Sequence, residues 1–204
     1  MADSVEQVRR WYAEELRFTA RVSSPSVVDA FATVPRERFV GPGPWLIKSP
    51  MNLAEYWMTE DADPRRVYHD VLIALDEARG INNGQPSLWA YLFNQIGIVA
   101  GEDALHLGCG TGYYTAIAAE LVGSTGKVTA IEIDATLAEK ARAALPPWPQ
   151  VTVNHADGAR TGWVDVTEVC SAWRAMQSRW EALPVGDHIR LDWRQPSRRA
   201  AMRH

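Results

Sequence analysis

Cysteine is scarce in this chain, with only Cys109 and Cys170 among its 204 residues. Two cysteines cannot build the disulfide framework that stabilises many small secreted domains. Cys109 lies inside a glycine-rich turn, where a reducing compartment leaves it a free thiol. We therefore expect a cytoplasmic protein.

Long apolar stretches and an excess of positive charge are also missing. Residues 1–10 are charged and lack the apolar segment of a signal peptide. No stretch approaches the roughly 18 consecutive apolar residues of a membrane span. The net charge is -4, which gives no electrostatic case for binding nucleic acid or a membrane surface. We expect a protein or small-molecule partner, and the sequence leaves the oligomeric state open.

Metal-ligand spacing is absent as well. The five histidines and two cysteines form neither a His-Glu-x-x-His nor a Cys-x-x-Cys pattern, so we expect no metal site. His69 and His155 stand alone near predicted strand ends, where histidine more often has a structural or solvated role than an acid-base role.

The most informative stretch is a glycine turn between a predicted strand and a predicted helix. Residues 103–107 suit a buried strand, and residues 115–122 are rich in helix formers. Three glycines stand between them at every second position: Gly108, Gly110 and Gly112. Glycine permits a tight turn and close ligand approach, and the helix N-terminus favours an anionic or polar group. We expect a ligand over this turn.

Two further strands follow the glycine turn. Residues 127–133 and 151–155 have strand patterns, and residues 135–145 between them have a helix pattern. Strand, helix, strand, helix and strand at these lengths predict a right-handed parallel sheet in an α/β fold. The strand ends of such a sheet meet at one edge, where ligands bind.

Polar residues follow the second and third of these strands. Glu132 stands where it can accept both hydroxyls of a ribose, while Asp134 is close but points elsewhere. Asp157 and Gly158 form a loop on the same edge, so three strand ends offer groups for a ribose and an adenine edge. An NAD(P)-dependent oxidoreductase is disfavoured, because the glycine spacing is not Gly-x-Gly-x-x-Gly.

The first eighty residues precede this pattern and have a different character. Helices are predicted over residues 4–18, with Ser4 as N-cap, and over residues 26–33. Residues 45–63 contain several aromatics but no sustained period, which indicates a lid or a long connection. Residues 67–75 form either a buried strand or a short helix, because an apolar run of this length fits both.

The strand-end motifs resemble those of class I S-adenosylmethionine-dependent methyltransferases. The matching stretches are Leu-His-Leu-Gly-Cys-Gly-Thr-Gly-Tyr at 105–113, Ala-Ile-Glu-Ile-Asp at 130–134 and Ala-Asp-Gly at 156–158. The resemblance implies a Rossmann-like sheet and S-adenosyl-L-methionine as cofactor, with the glycine turn against the methionine part. The cofactor-binding residues it implies are His106, Gly108, Cys109, Gly110, Gly112, Glu132, Asp157 and Gly158.

Within this class the chain is similar to protein-L-isoaspartate O-methyltransferases over about residues 5–169. The family's features appear in order: Val-Pro-Arg-Glu-Arg-Phe-Val at 34–40, the Tyr68 and Asp70 pair, Gly-Gln-Pro at 84–86, the Gly-Tyr end of the glycine turn and the Asp-Gly loop. The similarity implies an enzyme that transfers a methyl group to a carboxylate of a protein, a peptide or a small molecule.

Two positions depart from the family pattern. The family has an acid before the glycine turn, where it helps to anchor the methionine amino group, and this chain has His106. The family also has Thr-Ile-Ser before the proline that matches Pro86, which places Gly84 at the serine. Ser87 is expected at a helix N-terminus rather than as a displaced catalytic hydroxyl. No catalytic residue is assigned, and Asp70 and Ser87 remain the candidates.

The missing serine bears on the substrate more than on methyl transfer itself. A carboxylate acceptor is already ionised and the leaving group is neutral, so positioning and desolvation do most of the work. We therefore expect an isoaspartyl-methyltransferase-like protein with a changed acceptor. The alternative is a catalytically impaired or truncated homologue that binds the cofactor without transferring methyl.

The chain is expected to divide into three segments. These are an N-terminal helical or cap segment at 1–80, a cofactor-binding α/β core at 81–169 and an atypical tail rich in Arg and Trp at 170–204. The tail lacks the apolar runs of buried strands, so the C-terminal strands of a methyltransferase sheet look missing or replaced. Translation of a GC-rich segment out of frame would give such a composition. We expect a frameshift or premature end, with a natural short helical tail as the alternative.

Overall fold

Two sheets and five α-helices form the part of the chain that the computed structural model describes, residues 3–158 without the side chains of Leu53 and Ala54. In chain order the elements are α1 Val5–Thr19, α2 Pro25–Thr33, a 3-10 turn at Arg36–Phe39, β1 Leu46–Ser49, β2 Asn52–Met58, a 3-10 turn at Pro64–Val67, β3 Leu72–Asp76, β4 Ile81–Asn82, α3 Pro86–Ile96, β5 Asp103–Leu107, α4 Tyr113–Val122, β6 Lys127–Glu132, α5 Ala135–Ala144 and β7 Val151–His155.

A parallel sheet of order β5-β6-β7 carries the strand ends singled out by the sequence. Leu105 pairs with Thr129, and Thr129 pairs with Thr152, so the three strands run in step. The α/β fold with a parallel sheet and preceding helices is therefore confirmed.

Helix α4 is the central helix of the described fold. Every residue of α4 except Glu120 is buried, between the sheet and the N-terminal helices. The helix begins directly after Gly112, whose φ of +96° lies in the left-handed region. A side chain at Gly112 would also come within 2.8 Å of Leu145, so glycine is required there by both conformation and space.

The N-terminal helices follow the sequence prediction closely. The Ser4 side chain accepts a hydrogen bond from the backbone N–H of Gln7, which caps α1. Pro25 is the first residue of α2, where its missing N–H costs nothing, and Val34 before Pro35 ends the helix in an extended conformation. Tyr12, Leu16 and Phe31 from these helices enter the apolar core.

A second sheet, antiparallel and of order β2-β1-β3-β4, was not predicted. The prediction of a lid or long connection at 45–63 is wrong, because these residues form the β1–β2 hairpin. Ile47 pairs with Ile73 and both side chains are buried, which attaches the hairpin to β3. Residues 67–75 were ambiguous, and the structure ends the second 3-10 turn at Val67 and begins the strand β3 at Leu72.

The predicted division into three segments places its first boundary at residue 80. Elements on both sides of residue 80 share one apolar core, and the N-terminal segment predicted as helical contributes the antiparallel sheet as well. The three-segment division itself stays a prediction. The tail at 170–204, with its missing or replaced strands, lies outside the described residues.

No helix within residues 3–158 is both long enough and apolar enough to cross a membrane.

Candidate functional site

The glycine turn is fixed to the end of β6 by its own backbone. The N–H groups of Gly108 and Cys109 both donate to the carbonyl of Ile131, at 2.8 and 3.1 Å. Gly108 has a φ of +70°, and a Cβ there would meet no atom within 4 Å. The turn therefore presents an open, left-handed backbone at the edge of the sheet, with room for a close ligand.

Glu132 joins the glycine turn to the loop after β6. Its side chain is buried, and its two oxygens accept from the backbone N–H groups of Gly110 at 2.7 Å and Asp134 at 2.9 Å. Each carboxylate oxygen has two lone pairs, so one on each remains for a further donor. A ribose role for Glu132 stays a prediction, and its role in holding two loops was not foreseen.

Asp134 points away from the glycine turn, as the sequence analysis expected. One carboxylate oxygen accepts from the N–H of Leu137 at 2.9 Å and caps α5, while the other lies 2.6 Å from Arg79. The hydrogen bond from Arg79, followed by the one from Leu137, lowers the pKa of Asp134 below its ordinary value. Arg79 also binds Asp76, so the β3–β4 turn is attached to the start of α5.

The loop after β7 reaches the same edge of the sheet. The N–H of Ala156 donates to the carbonyl of Glu132 at 3.0 Å. A Cβ on Gly158 would lie 3.1 Å from Leu107, so this loop passes close to the end of β5 as well. The three strand-end loops therefore converge, as predicted from their order in the sequence.

His106 and Thr111 each carry a buried polar atom with no hydrogen-bond partner among the described residues. His106 Nδ1 lies 2.8 Å from Thr115 Oγ1, which leaves Nε2 as its unpaired atom. The unpaired atom of Thr111 is its hydroxyl oxygen. Burial lowers the pKa of His106 to about 4, so its imidazole is neutral at pH 7.

Both side chains line one pocket between the glycine turn and the segment before α3. The other residues of the pocket are Leu75, Asn82, Asn83, Gly84, Trp89, Gly108, Cys109, Gly110, Tyr113 and Tyr114. Burial raises the pKa of the Cys109 thiol to about 12, so this thiol stays protonated and unreactive.

The loop at 82–84 is held rigidly over this pocket. Asn82 accepts from the N–H of Gly84 at 2.9 Å, Asn83 accepts from Arg36 at 3.1 Å, and the Tyr114 hydroxyl donates to the Gly84 carbonyl at 3.1 Å. Trp89 stacks on Tyr114 with ring centroids 4.5 Å apart. The loop and the two stacked rings form one wall of the pocket.

Gly84 cannot be replaced by serine without moving Trp89. Gly84 has a φ of +79°, and a Cβ there would lie 2.8 Å from Trp89 Nε1 and 3.1 Å from Tyr114 Cε2. The chain has glycine where the family has serine, and the Trp89 indole occupies the space that a serine side chain would need.

Arg36 is a fully buried charged residue that the sequence analysis named only as part of a motif. Its guanidinium donates to the carbonyls of Val67, His69 and Val71 at 2.7 to 2.9 Å. It also donates to Asn83 and lies over the ring of Tyr113. Arg36 thus connects the segment before β3 to the pocket wall. An arginine after Val-Pro was the available signal, but its burial depends on partners far away in sequence.

Asp70 and Ser87 meet at the start of α3. Asp70 accepts from the N–H of Ser87 at 2.8 Å, and the Ser87 hydroxyl accepts from Gln85 at 2.8 Å. Asp70 therefore supplies the cap that Gln85, the N-cap residue, does not make with its own side chain. Ser87 is at the helix N-terminus as expected, and a catalytic role for either residue stays a prediction.

A second cleft adjoins the first and shares Leu75 and Thr111 with it. Arg38 and Lys140 line this cleft, and Arg38 is anchored through Nε to the carbonyl of Ala144 at 2.6 Å. The two cations give the cleft a positive charge beside an otherwise uncharged pocket.

Within residues 3–158, no three His, Cys, Asp or Glu side chains come together in a way that could hold a metal ion.

The parallel sheet, its glycine turn and the converging strand-end loops define the class I S-adenosylmethionine-dependent methyltransferase fold. The structure is similar to a solved protein-L-isoaspartate O-methyltransferase, with a TM-score of 0.55 and 25% identity over 72% of this chain and 42% of that chain. A protein from Plasmodium falciparum, described as a putative protein-L-isoaspartate O-methyltransferase in complex with S-adenosyl-L-homocysteine, shares the fold at 15% identity, with a TM-score of 0.56 over 79% of this chain and 68% of that chain.

The chain belongs to the protein-L-isoaspartate(D-aspartate) O-methyltransferase family, whose sequence profile matches residues 10–168. The protein-L-isoaspartate O-methyltransferase of Methanothermobacter thermautotrophicus is 28% identical over 159 residues, which are 77% of this chain and 63% of that protein. The chain spans about half to two thirds of the length of the curated relatives it matches. The family resemblance inferred from the sequence is confirmed.

Proposed function

We propose that this chain binds S-adenosyl-L-methionine across the three strand-end loops and transfers methyl to a carboxylate of a protein or peptide. The convergence of the loops at the end of β6 carries this proposal. There the N–H of Gly108 donates to the carbonyl of Ile131, and the N–H of Ala156 donates to the carbonyl of Glu132. The Glu132 side chain accepts from the N–H of Gly110. The unpaired polar atoms of His106 and Thr111 fit a ligand with a polar end at the glycine turn.

The predicted cofactor-binding residues would each contact a different part of the cofactor. The turn from Gly108 to Gly112 would face the methionine part, Glu132 would accept from the ribose hydroxyls with its remaining lone pairs, and Asp157 with Gly158 would face the adenine. When bound, the cofactor supplies a methyl group on a sulfonium, which is a good electrophile with a neutral leaving group.

The protein's contribution to the reaction is positioning and exclusion of water. A carboxylate acceptor needs no general base, because it is already ionised at pH 7. Trp89 and Tyr114 form a stacked wall, and the Tyr114 hydroxyl fixes Gly84 beside it. A rigid wall of this kind holds the reacting atoms in line and keeps water out.

The acceptor differs from the one that a serine at position 84 would serve. Gly84 offers no hydroxyl, and Trp89 narrows the space around it. Arg38 and Lys140 in the adjoining cleft attract an anionic acceptor, so a protein or peptide with acidic side chains suits this entrance. The net charge of -4 and the two cysteines support a cytoplasmic enzyme that does not act on nucleic acid or membranes.

Calorimetric titration of the whole chain with S-adenosylhomocysteine and with NAD tests the cofactor. Transfer of radiolabelled methyl from S-adenosylmethionine to an isoaspartyl peptide, its aspartyl counterpart and a panel of acidic peptides tests the acceptor. We expect binding of S-adenosylhomocysteine, no binding of NAD, and transfer to an acidic peptide with slow methylation of the isoaspartyl peptide. Binding without transfer to any peptide supports the alternative of a cofactor-binding homologue, and binding of NAD alone overturns the proposal.

A further inference from the structure

Two buried polar atoms without partners lie in one pocket, and they are the two such side-chain atoms found within residues 3–158. Buried polar groups are nearly always hydrogen-bonded, and an exception needs an explanation. His106 comes from β5 and Thr111 from the turn before α4, so two separate segments each bring a residue with an unpaired, buried atom to the same pocket. A polar ligand group that fits this space would satisfy both atoms.

Within residues 3–158, no charged side chain stabilises the protonated form of His106. Thr115 from α4 faces Nδ1, and Trp89 from α3 lies against the ring with centroids 5.1 Å apart at 70°. Burial, with no contribution from a neighbouring charge, lowers the pKa of His106. The imidazole of this pocket-lining residue is therefore a neutral group with one nitrogen paired with Thr115 and the other buried without a partner.

We propose that Nε2 of His106 and the hydroxyl of Thr111 form an uncharged pair of hydrogen-bond acceptors for the amino group of the cofactor's amino-acid end. The inference rests on the proposed function. An ammonium group has only donors, so it requires acceptors in the pocket. When Nδ1–H donates to Thr115, Nε2 keeps its lone pair for the ligand, and the Thr111 oxygen supplies a second acceptor.

This arrangement replaces an ion pair with a hydrogen bond from a charged donor to a neutral acceptor. The hydrogen bond is still charge-assisted, but the Coulomb attraction of an opposite charge is missing. The chain should therefore hold the amino end of its cofactor less tightly than an acid at position 106 would. The adenosine part is unaffected, because Glu132 and Asp157 lie at other strand ends.

Three ligands that differ only at the amino-acid end test the proposal by calorimetry on the full chain at pH 7.5. S-adenosylhomocysteine has the amine and the carboxylate, 5′-deoxy-5′-(3-aminopropylthio)adenosine has only the amine, and 5′-methylthioadenosine has neither. Thr111→Val removes the hydroxyl at constant shape, and His106→Asp restores a carboxylate. Thr152→Val makes the first change at an exposed position of β7 and serves as control.

We expect both pocket variants, Thr111→Val and His106→Asp, to change the binding of the two amines and to leave the binding of 5′-methylthioadenosine unchanged. Thr111→Val should weaken the binding of both amines by roughly fivefold, and His106→Asp should tighten it by roughly tenfold, since the aspartate adds an opposite charge to the hydrogen bond. Thr152→Val should match the unchanged chain. In ¹⁵N spectra of the histidine rings, His106 should be protonated at Nδ1 and unprotonated at Nε2.

Several results would overturn the proposal. Equal changes for the amines and 5′-methylthioadenosine would mean that the substitutions act on the whole site. Weaker amine binding in a His106→Asp variant with an unchanged circular dichroism spectrum, or a proton on Nε2, would mean that the imidazole donates to the carboxylate instead. If none of the three ligands binds the unchanged chain, the proposed function itself fails. If only 5′-methylthioadenosine binds, the cofactor site stands and the pair proposed here does not.

Discussion

The two ends of the candidate site are built in opposite ways. At one end, both oxygens of Glu132 already accept from backbone N–H groups. At the other end, His106 and Thr111 each keep an unpaired buried atom. Glu132 therefore stabilises the free protein, whereas the His106 end carries a cost that a ligand can remove. Loss of Glu132 should lower the stability of the protein without any ligand, whereas changes at the His106 end should mainly alter the affinity for the ligand.

The largest expected effect is at Glu132. Glu132→Gln places an amide NH₂ against the backbone N–H of either Gly110 or Asp134, so that buried N–H loses its acceptor. The other N–H keeps an acceptor, but that acceptor is an amide oxygen in place of a carboxylate oxygen. We expect the free energy of unfolding to fall by about 3 to 4 kcal/mol, measured by urea denaturation. Glu139→Gln, on the exposed side of α5, should cost less than about 0.5 kcal/mol. Equal losses in the two variants would contradict the holding role of Glu132.

The burial of His106 in the free protein can be tested through the dependence of stability on pH. Its pKa falls from 6.5 to about 4 on folding, so the unfolded chain binds more protons between these values. Its contribution to stability is complete above pH 6.5 and is lost as the pH falls towards 4, by about 3 kcal/mol in total. His106→Asn should flatten the dependence of the free energy of unfolding on pH in this window.

His69 provides the matched control for this measurement. Burial, and then the charges of Arg36 and Arg66, lower its pKa as well, so His69 contributes in the same direction. Its side chain is only partly buried, and His69→Asn should therefore remove less of the slope. A larger flattening in His69→Asn than in His106→Asn would show that the two histidines have been assigned in the wrong order.

Gly84 tests how closely the pocket wall is packed around the His106 end. Gly84→Ser introduces a Cβ at a positive φ and against the Trp89 indole, and we expect a loss of about 2 kcal/mol of stability. Gly80→Ser has a similar φ of +69° with no atom within 4 Å of the new Cβ, so it measures the conformational strain alone. Trp89→Leu in the Gly84→Ser background should recover most of the difference. Equal losses at the two glycines would mean that Trp89 does not exclude the serine.

The smallest expected effect is at Asp70. Asp70→Asn weakens the cap that Asp70 provides to the N–H of Ser87, and we expect a loss of about 1 kcal/mol of stability. Affinity for S-adenosylhomocysteine should change less than about twofold, since Asp70 acts on α3 rather than on the strand-end loops. A loss of methyl transfer with unchanged affinity and stability would instead give Asp70 the catalytic role for which it was a candidate.

Local patterns were sufficient to predict the strands and helices around the Glu132 end. The apolar residues at 103–107, the glycines after them and the acid at the end of β6 specify strand, turn and rim without reference to distant residues. The expected burial of the first strand is wrong, because Leu105 and Leu107 are exposed. The β1–β2 hairpin was missed because its turn has no Asn-Gly signal and Ile47 is the one buried residue of β1. Its strands are held by cross-strand pairs such as Ile47 with Trp57, which no local period reveals.

The chemistry of the His106 end depended on contacts that the sequence could not provide. The position of His106 before the turn was visible, but its neutral state follows from Trp89 and from burial. Thr111 stands between two glycines, and nothing in the sequence indicated a role for it. Its buried hydroxyl without a partner in the structure makes it a candidate for ligand binding. The exclusion of a serine at position 84 likewise follows from the indole of Trp89 in space.

Arg36 makes the frame of the pocket independent of proton concentration. Its guanidinium keeps its charge at every pH at which the protein folds, and the groups that accept its hydrogen bonds are three backbone carbonyls and an amide, none of which titrates. The wall formed by Asn83 and its neighbours should stay in place while His106 changes its protonation state. Acid would then release the cofactor from a pocket that keeps its shape, so that raising the pH restores binding without refolding.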